Sequence, residues 1–299
     1  MINVVTFPGL GLEFTLDRVA FHLFGRPIFW YGIIIASGML LAVYLCSRWA
    51  PRFGIVPDHI LDLMFFAVPA ALVAVRAYYV IFNLDLYRRG DGSLDWGAIL
   101  RYSDGGLAIY GAIISSVIVL LIFCKVRKVS FLAFADLGGH GLFIGQLIGR
   151  WGNFFNREAF GEETSSFLRM GLYNPVTGQT SYVHPTFLYE SLWNLVGFLL
   201  LHFLSKGRKY DGQTALQYMA WYGAGRAVIE GLRTDSLYIP GTSLRVSQIL
   251  AAVGCVVALV ILAVQAVRKH DPSGLFVNRV AVGQAPEEPS EEQPGEVPV

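Results

Sequence analysis

The stretch FLAFADLGGHGLFIGQLIGRWGNFFNREAFG, residues 131–161, is the most informative part of the chain about its fold. Its first half, residues 131–150, is mostly apolar and has the length of about 20 residues that an α-helix needs to cross a bilayer. Several hydrogen-bonding side chains follow at once, between glycines and aromatic rings: Arg150, Asn153, Asn156, Arg157 and Glu158. A chain that places so many polar groups at the end of a membrane span must use them to bind something.

The composition indicates a membrane protein. Of the 299 residues, 54% are hydrophobic and 15% are charged, with a mean hydropathy of +0.51, whereas soluble chains carry about a quarter charged residues. The formal net charge of +1 gives no indication of nucleic-acid binding, and the sequence has no basic run that could bind a nucleic acid. The three cysteines lie in or beside apolar runs without metal-like spacing, so they are expected to be buried and unpaired. We find no metal cluster and no nucleotide loop in the sequence, and we predict no metal and no cofactor.

The pattern of apolar runs predicts an all-α membrane protein, a polytopic bundle of about seven transmembrane helices within residues 1–270. No cleavable signal peptide is recognisable, so the first run is expected to be an uncleaved anchor. The long loop 151–185, rich in Gly, Asn, Thr and Ser, predicts a small extracytoplasmic subdomain. The predicted spans are residues 27–47, 60–82, 106–124, 131–150, 186–205, 213–232 and 244–267.

Basic residues follow the first, third, fifth and seventh runs, which places those loops in the cytoplasm by the positive-inside rule. The amino terminus is then outside and the carboxyl terminus is cytoplasmic. The segment 271–299 is rich in glutamate and proline with little to bury, and we expect a disordered acidic cytoplasmic tail.

Ionisable side chains inside apolar spans usually mark a site, because each costs roughly 2.5–3.5 kcal/mol on insertion scales. In WYGAGRAVIEGLRTD, residues 221–235, one helical face would carry Tyr222, Arg226, Glu230 and Arg233. A simple structural pair between Arg226 and Glu230 would also explain part of this pattern. Taken with Arg150, however, two arginines near one membrane face favour an anion site, since the guanidinium fork matches phosphate oxygens in pairs.

A glycerophospholipid headgroup is the natural anion in a bilayer, and the amides of Asn153 and Asn156 could bind its glycerol hydroxyls. Two further motifs stay open at this stage. DGGLAIYG, residues 104–111, is either a helix entry or a tight backbone approach, with Tyr110 at the interface or in the site. HPTFLYES, residues 184–191, supplies His184, Tyr189 and Glu190 as interfacial anchors or as site residues.

The assembled motifs resemble the prolipoprotein diacylglyceryl transferase family, up to about residue 269. The resemblance implies a seven-span bacterial plasma-membrane enzyme that moves a diacylglyceryl group from phosphatidylglycerol to the lipobox cysteine of preprolipoproteins. A thioether forms and glycerol phosphate is released. The partners implied are this lipid, the lipobox signal peptides and the bilayer. We expect the enzyme to act as a monomer. The motifs are RPIFWYG (26–32), VRAYYVIFN (75–83), DGGLAIYG, GQLIGRWGNFFNREAFG (145–161), HPTFLYESLWNLVGF (184–198) and YGAGRAVIEGLR (222–233).

The resemblance also implies the site. Arg150 and Arg226 would be the essential catalytic arginines, stabilising the leaving phosphate, while the peptide supplies a thiolate nucleophile. Tyr110 stands where many family members carry a histidine; a phenol is a poor base at neutral pH, so we favour a positioning role for it. The proton acceptor is Tyr110, Glu230 or a water. The candidate substrate-binding residues are Tyr31, Arg76, Gly105, Gly106, Gly111, Asn153, Asn156, Glu158, Gly161, His184, Tyr222 and Glu230.

A second class of function uses the same residues without chemistry. A protein that only binds or moves anionic phospholipids would need the same arginines. Release of water-soluble glycerol phosphate in the presence of a cysteine peptide separates the two, because a carrier releases none.

Overall fold

The computed structural model describes residues 3–102, 105–239 and 241–282. Its described residues divide into two compact units, one formed by residues 3–49 with Ala135–Leu275, the other by Ala50–Phe134 with residues 276–282. The helices are α1 (Trp30–Trp49), α2 (Asp58–Phe82), α3 (Trp96–Ile99), α4 (Ile109–Val126), α5 (Phe131–Asn156), α6 (Thr186–Leu204), α7 (Gln213–Ile229), α8 (Val246–Ala266) and α9 (Phe276–Ala281). The strands are β1 (Asn3–Phe7), β2 (Leu12–Leu16), β3 (Val19–Leu23), β4 (Arg26–Phe29), β5 (Met170–Asn174) and β6 (Gln179–Val183).

The predicted polytopic helical bundle is confirmed. Within the described ranges, six helical segments are long and apolar enough to cross a membrane: Trp30–Phe53, Asp58–Phe82, Ile109–Val126, Phe131–Asn156, Thr186–Gly207 and Val246–Ala266. The remaining predicted span, 213–232, is also helical, but it consists of the 17-residue α7 and a 3-10 turn over Glu230–Leu232. Its α-helical part is short because the chain changes to the tighter 3-10 geometry at Glu230.

The polar run after residue 150 is helical as far as Asn156 and does not begin as a loop. The prediction ended the fourth span at Arg150, whereas α5 continues for six residues to Asn156. The helix stops where Arg157 and Ala159 adopt left-handed φ values of 53° and 55°, a conformation that ends helices. Arg150 and Asn153 therefore lie one turn apart on the same helix face.

A four-stranded antiparallel sheet covers one end of the first unit, in the order β2-β1-β5-β6. The predicted subdomain in loop 151–185 supplies only β5 and β6, while the two other strands come from residues 3–16. Val5 of β1 pairs with Leu172 of β5. The apolar side of the sheet packs on the ends of α5 and α6 through Phe154 and Phe187.

Two tryptophans fix how α6 and α7 pack. The rings of Trp193 and Trp221 stack at 4.5 Å, and each indole N–H donates to the backbone carbonyl of the other residue at 2.9 Å. A Cβ atom on Gly197 or Gly225 would come within 2.4 Å or 2.2 Å of an indole ring, so only glycine fits there. This close packing brings Arg226 of α7 beside Glu190 of α6.

In the second unit α2 packs against α4. A Cβ atom on Gly111 would lie 2.2 Å from the carbonyl oxygen of Ala74, so this glycine permits the close approach. The segment after residue 271, which the sequence analysis assigned to a disordered tail, begins with a 3-10 turn over Pro272–Gly274 and continues as α9. Phe276 is buried, which gives α9 an apolar anchor; residues 283–299 of the predicted tail lie outside the described ranges.

Candidate active site

One carboxylate joins two arginines from different helices. Nη2 of Arg150 on α5 lies 2.5 Å from Oε2 of Glu190 on α6, and Nη1 of Arg226 on α7 lies 2.7 Å from Oε1 of the same side chain. The Glu190 side chain is only 4% exposed. The two arginines that the sequence predicts to be catalytic are thus brought together and oriented by a buried acid.

The cluster continues along the end of α7. Nη2 of Arg226 lies 2.5 Å from Oε2 of Glu230, and Nη1 of Arg233 lies 3.4 Å from Oε1 of Glu190. Arg233 also makes a two-pronged pair with Asp235, at 2.8 Å and 2.7 Å. The hydrogen bond from Arg233 holds the pKa of Asp235 below its usual range.

The charges of this cluster favour an anion. Its inner cluster consists of two buried glutamates, the buried Arg233 and the partly buried Arg150 and Arg226, and carries one net positive charge before Asp235 is counted. The side chain of Asp235 is 48% exposed and lies at the rim, where water screens it. A cluster with forked donors, in which arginines outnumber glutamates and the remaining acid, Asp235, lies at the rim, suits a phosphate or a carboxylate.

The asparagines of the polar run order the end of α5. Nη1 of Arg150 donates to Oδ1 of Asn153 at 3.4 Å, and the Asn153 amide donates to Glu158 at 2.9 Å. The Asn156 amide donates to the same Glu158 oxygen at 3.3 Å. Glu158 therefore links both amides to the helix end and connects them, through Asn153, to the arginine cluster.

A cavity of about 740 Å³ opens beside this network. Tyr31, Asn156 and Glu158, three of the predicted binding residues, line it. Arg18 also lines it and donates to the backbone carbonyl of Asn156 at 2.7 Å; it precedes β3 and was not singled out in the sequence. The rest of the lining is apolar except for the backbone of Gly32: Pro27, Ile28, Phe29, Ile33 and Ala36.

Gly161 and His184 tie the ends of three helices together. The backbone N–H of Gly161 donates to the His184 carbonyl at 2.9 Å, and that of Glu162 donates to the Leu232 carbonyl at 2.8 Å. A Cβ atom on Gly161 would lie 2.7 Å from the Cβ of His184, so no larger residue fits without movement. The loop after α5 is thereby held between the chain entering α6 and the chain leaving α7.

The chain matches the family model described as prolipoprotein diacylglyceryl transferase over residues 18–264. It belongs to this family. A phosphatidylglycerol–prolipoprotein diacylglyceryl transferase of Oceanobacillus iheyensis is 45% identical over 232 residues, 75% of this chain and 79% of the relative. That of Bacillus cereus strain G9842 is 43% identical over 258 residues, 84% and 93% of the two chains. That of Lysinibacillus sphaericus is 41% identical over 252 residues, 82% and 90%.

The region that matches the prolipoprotein diacylglyceryl transferase family contains the whole arginine cluster. It also contains Tyr222, one turn before Arg226 on α7. The ring of Tyr222 stacks on Tyr218 at 5.7 Å, and the Tyr218 hydroxyl accepts a hydrogen bond from Gln146 at 2.8 Å. These contacts extend the polar face of α7 away from the arginines and connect it to α5.

The other predicted site residues lie in the second unit, centred on Arg76. Its buried guanidinium donates to four backbone carbonyls, those of Ala98, Ile99, Gly105 and Gly106, at 2.5–3.0 Å. Arg76 thus holds the chain that enters α4. Within the same unit, Gly105 and Gly106 adopt φ values of 77° and 70°, Gly111 contacts α2, and the ring of Tyr110 lies 6.3 Å from that of Tyr78.

The sequence reasoning missed the central residue, Glu190, which it left as an interfacial anchor or site residue. A usable signal was present. Glu190 is an acid inside an apolar span. Three arginines, Arg150, Arg226 and Arg233, had only one acid, Glu230, assigned near them. Buried charges are normally paired, so the surplus of arginines called for one more carboxylate.

Proposed function

We propose that this protein transfers the diacylglyceryl group of phosphatidylglycerol to the lipobox cysteine of preprolipoproteins, the first step of bacterial lipoprotein maturation. The observation that carries this proposal is the pairing of Arg150 and Arg226 on Glu190 within an inner cluster of net positive charge. Membership in a family whose curated relatives bear the name of this activity supports it.

The cluster suits the chemistry of the reaction. The peptide sulfur attacks the glyceryl carbon that bears the phosphodiester, a C–S bond forms, and the C–O bond to phosphate breaks. Glycerol phosphate leaves with the electron pair of that bond, and the thiol proton passes to an acceptor. Arg150 and Arg226 are placed to stabilise the negative charge that grows on the leaving group, which is often the largest catalytic contribution.

Glu190 and Glu230 act as positioning residues in this proposal. Each accepts from Arg226, and these two contacts orient the guanidinium toward its proposed role at the phosphate. The net positive charge also favours the thiolate over the thiol, because a nearby cation lowers the pKa of an incoming cysteine. A weak proton acceptor then suffices; Tyr110, Glu230 and water remain the candidates.

The remaining predicted residues are assigned within each unit separately. We assign Tyr31, Asn156 and Glu158 to lipid binding because they line the cavity beside the hydrogen-bond network of Glu158. Arg76 is assigned an indirect role, since its donors hold the backbone of Gly105 and Gly106. The enzyme is proposed to act as a monomer.

The proposed orientation places the site at the outer face of the bacterial plasma membrane. Arg48 and Arg52 follow the apolar part of α1, and Lys206, Arg208 and Lys209 follow α6, which marks those helix ends as cytoplasmic. Glu190 lies in the first turns of α6, toward the opposite end. The amino terminus is then outside and the carboxyl terminus cytoplasmic.

The test uses purified protein in micelles containing phosphatidylglycerol, with a lipobox peptide or its Cys→Ser version. Lipidated peptide is followed by mass and glycerol phosphate is measured in the aqueous phase. We expect both products in equal amounts and only with the cysteine peptide. Lipid binding without either product, while a known transferase works in the same micelles, would leave a non-catalytic anionic-phospholipid binding or transport protein.

A further inference from the structure

Arg245 occupies a position where the rules of helix formation disfavour arginine. It is the N-cap residue of α8, and no side-chain cap is made there. Ser, Thr, Asp and Asn are preferred at this position because their oxygens accept from the first backbone N–H groups. A cation at this end also opposes the helix dipole. Such a conflict with local preference is expected where a side chain serves another purpose.

The Arg245 side chain runs instead to the end of α7. Nη1 donates to the backbone carbonyl of Glu230 at 2.5 Å, and Nε donates to the hydroxyl of Tyr238 at 3.1 Å. Nη2 lies 3.4 Å from a carboxylate oxygen of Glu162, and the Arg245 side chain is 11% exposed. The last carbonyls of a helix have no partner inside it and attract a cation, so this is where an arginine is favourable.

Gln248, one turn further along α8, makes a second contact of the same kind. Its side-chain amide donates to the carbonyl of Ala227 at 2.8 Å. The first turn of α8 thus supplies two donors to the carboxyl-terminal end of α7. The chain changes from α-helix to 3-10 turn at Glu230, so the two carbonyls that accept from these donors lie on either side of that change.

We propose that Arg245 is a positioning residue of the transferase. It fixes the 3-10 turn Glu230–Leu232. Glu230, the first residue of this turn, pairs with Arg226, and Arg233, the residue directly after it, pairs with Glu190. By holding that turn, Arg245 sets the direction of the Arg226 guanidinium without contacting the substrate. This proposal rests on the proposed function, because its effect is measured as the rate of diacylglyceryl transfer.

The experiment compares Arg245→Ala with a matched control, Arg169→Ala. Arg169 also donates to backbone carbonyls, those of Ser165 and Ser166, at 3.4 Å and 3.2 Å. It also lies over a tyrosine ring, at 5.5 Å compared with 5.6 Å for Arg245. The values of kcat and of KM for phosphatidylglycerol and lipobox peptide are measured, together with the melting temperature and the effect of millimolar guanidinium.

We expect Arg245→Ala to lower kcat by about tenfold or more while each KM stays within about threefold of wild type. Added guanidinium should restore several-fold of the lost kcat by filling the vacated position, and Arg169→Ala should leave kcat near wild type. An unchanged kcat would overturn the proposal. A fall in kcat that guanidinium does not restore, together with a large fall in melting temperature, would also overturn it. A wild-type protein without transfer would instead refute the proposed function, and the effect of Arg245→Ala on phosphatidylglycerol affinity would then test positioning alone.

Discussion

Replacing Glu190 by glutamine tests how the arginine cluster works. Glutamine has nearly the same shape as glutamate but no charge, so the change removes the shared partner of Arg150 and Arg226 with little change in packing. The inner cluster then holds three arginines against Glu230 alone, and its net charge rises from one to two positive charges. Glu163→Gln is a suitable control, because Glu163 is exposed.

The magnitude follows from the burial of the partners. Removing one member of a buried ion pair costs about 3–5 kcal/mol, because it leaves an unpaired charge in a medium of low dielectric constant. The side chains of Arg150 and Arg226 are 19% and 15% exposed, which places the expected loss of unfolding free energy at the lower end of this range, about 3 kcal/mol. An anionic lipid that binds the folded protein should recover part of this loss by mass action.

The assay measures thermal unfolding in neutral detergent and in micelles doped with phosphatidylglycerol, followed by transfer kinetics. We expect Glu190→Gln to melt well below wild type in neutral detergent and to recover more strongly than wild type when the lipid is added. The KM for lipid should fall, because the arginines are free to bind phosphate, and kcat should fall, because they are no longer oriented. An unchanged melting temperature in neutral detergent together with an unchanged kcat would show that Glu190 does not hold the two arginines in place.

Three further changes test separate parts of the structure. Arg226→Lys should lower kcat at least about tenfold at similar expression, since a point ammonium cannot reproduce the guanidinium fork; wild-type rates would exclude that role. Gly225→Ala should destabilise the protein by about 1–3 kcal/mol in thermal unfolding, because its Cβ would lie 2.2 Å from an indole ring, whereas Gly145→Ala, which meets nothing within 4 Å, should not. The pKa of Asp235 is lower in the folded protein than its unfolded value of about 3.9, so the ionised carboxylate stabilises the fold at a pH above that value. This stability is lost as the pH falls through the folded pKa. Melting temperatures from pH 6 to pH 3 should therefore fall more steeply for wild type than for Asp235→Asn, and parallel curves would contradict this.

The membrane helices could be predicted because hydropathy is a local property of the chain. The polar face of α7 could be predicted for the same reason, since the spacing of Tyr222, Arg226 and Glu230 follows the helical period. The end of α5 was misplaced because polar residues mark where a chain leaves lipid and not where its helix ends. Here the helix extends six residues past Arg150, and this places Asn153 within reach of the arginine.

The sheet and the centre of the site depend on contacts between residues far apart in the chain. Val5 pairs with Leu172, and no local pattern in residues 3–16 identifies that partner. Glu190 meets Arg226 because stacked tryptophans and two glycines set the packing of α6 on α7. The sequence contains each of these residues, but their meeting is a property of the packed bundle.

The charge balance of the inner cluster favours release of the product in the proposed reaction. Three arginines and two glutamates leave one positive charge, which a phosphodiester monoanion neutralises on binding. Once the C–O bond breaks, the phosphate becomes a monoester with a second pKa near 6 and carries between about 1.5 and 2 negative charges at neutral pH. The occupied site then holds excess negative charge beside Glu190 and Glu230, which favours release of glycerol phosphate. In Glu190→Gln this excess disappears, so the same change that tightens lipid binding should also retain the product and slow turnover.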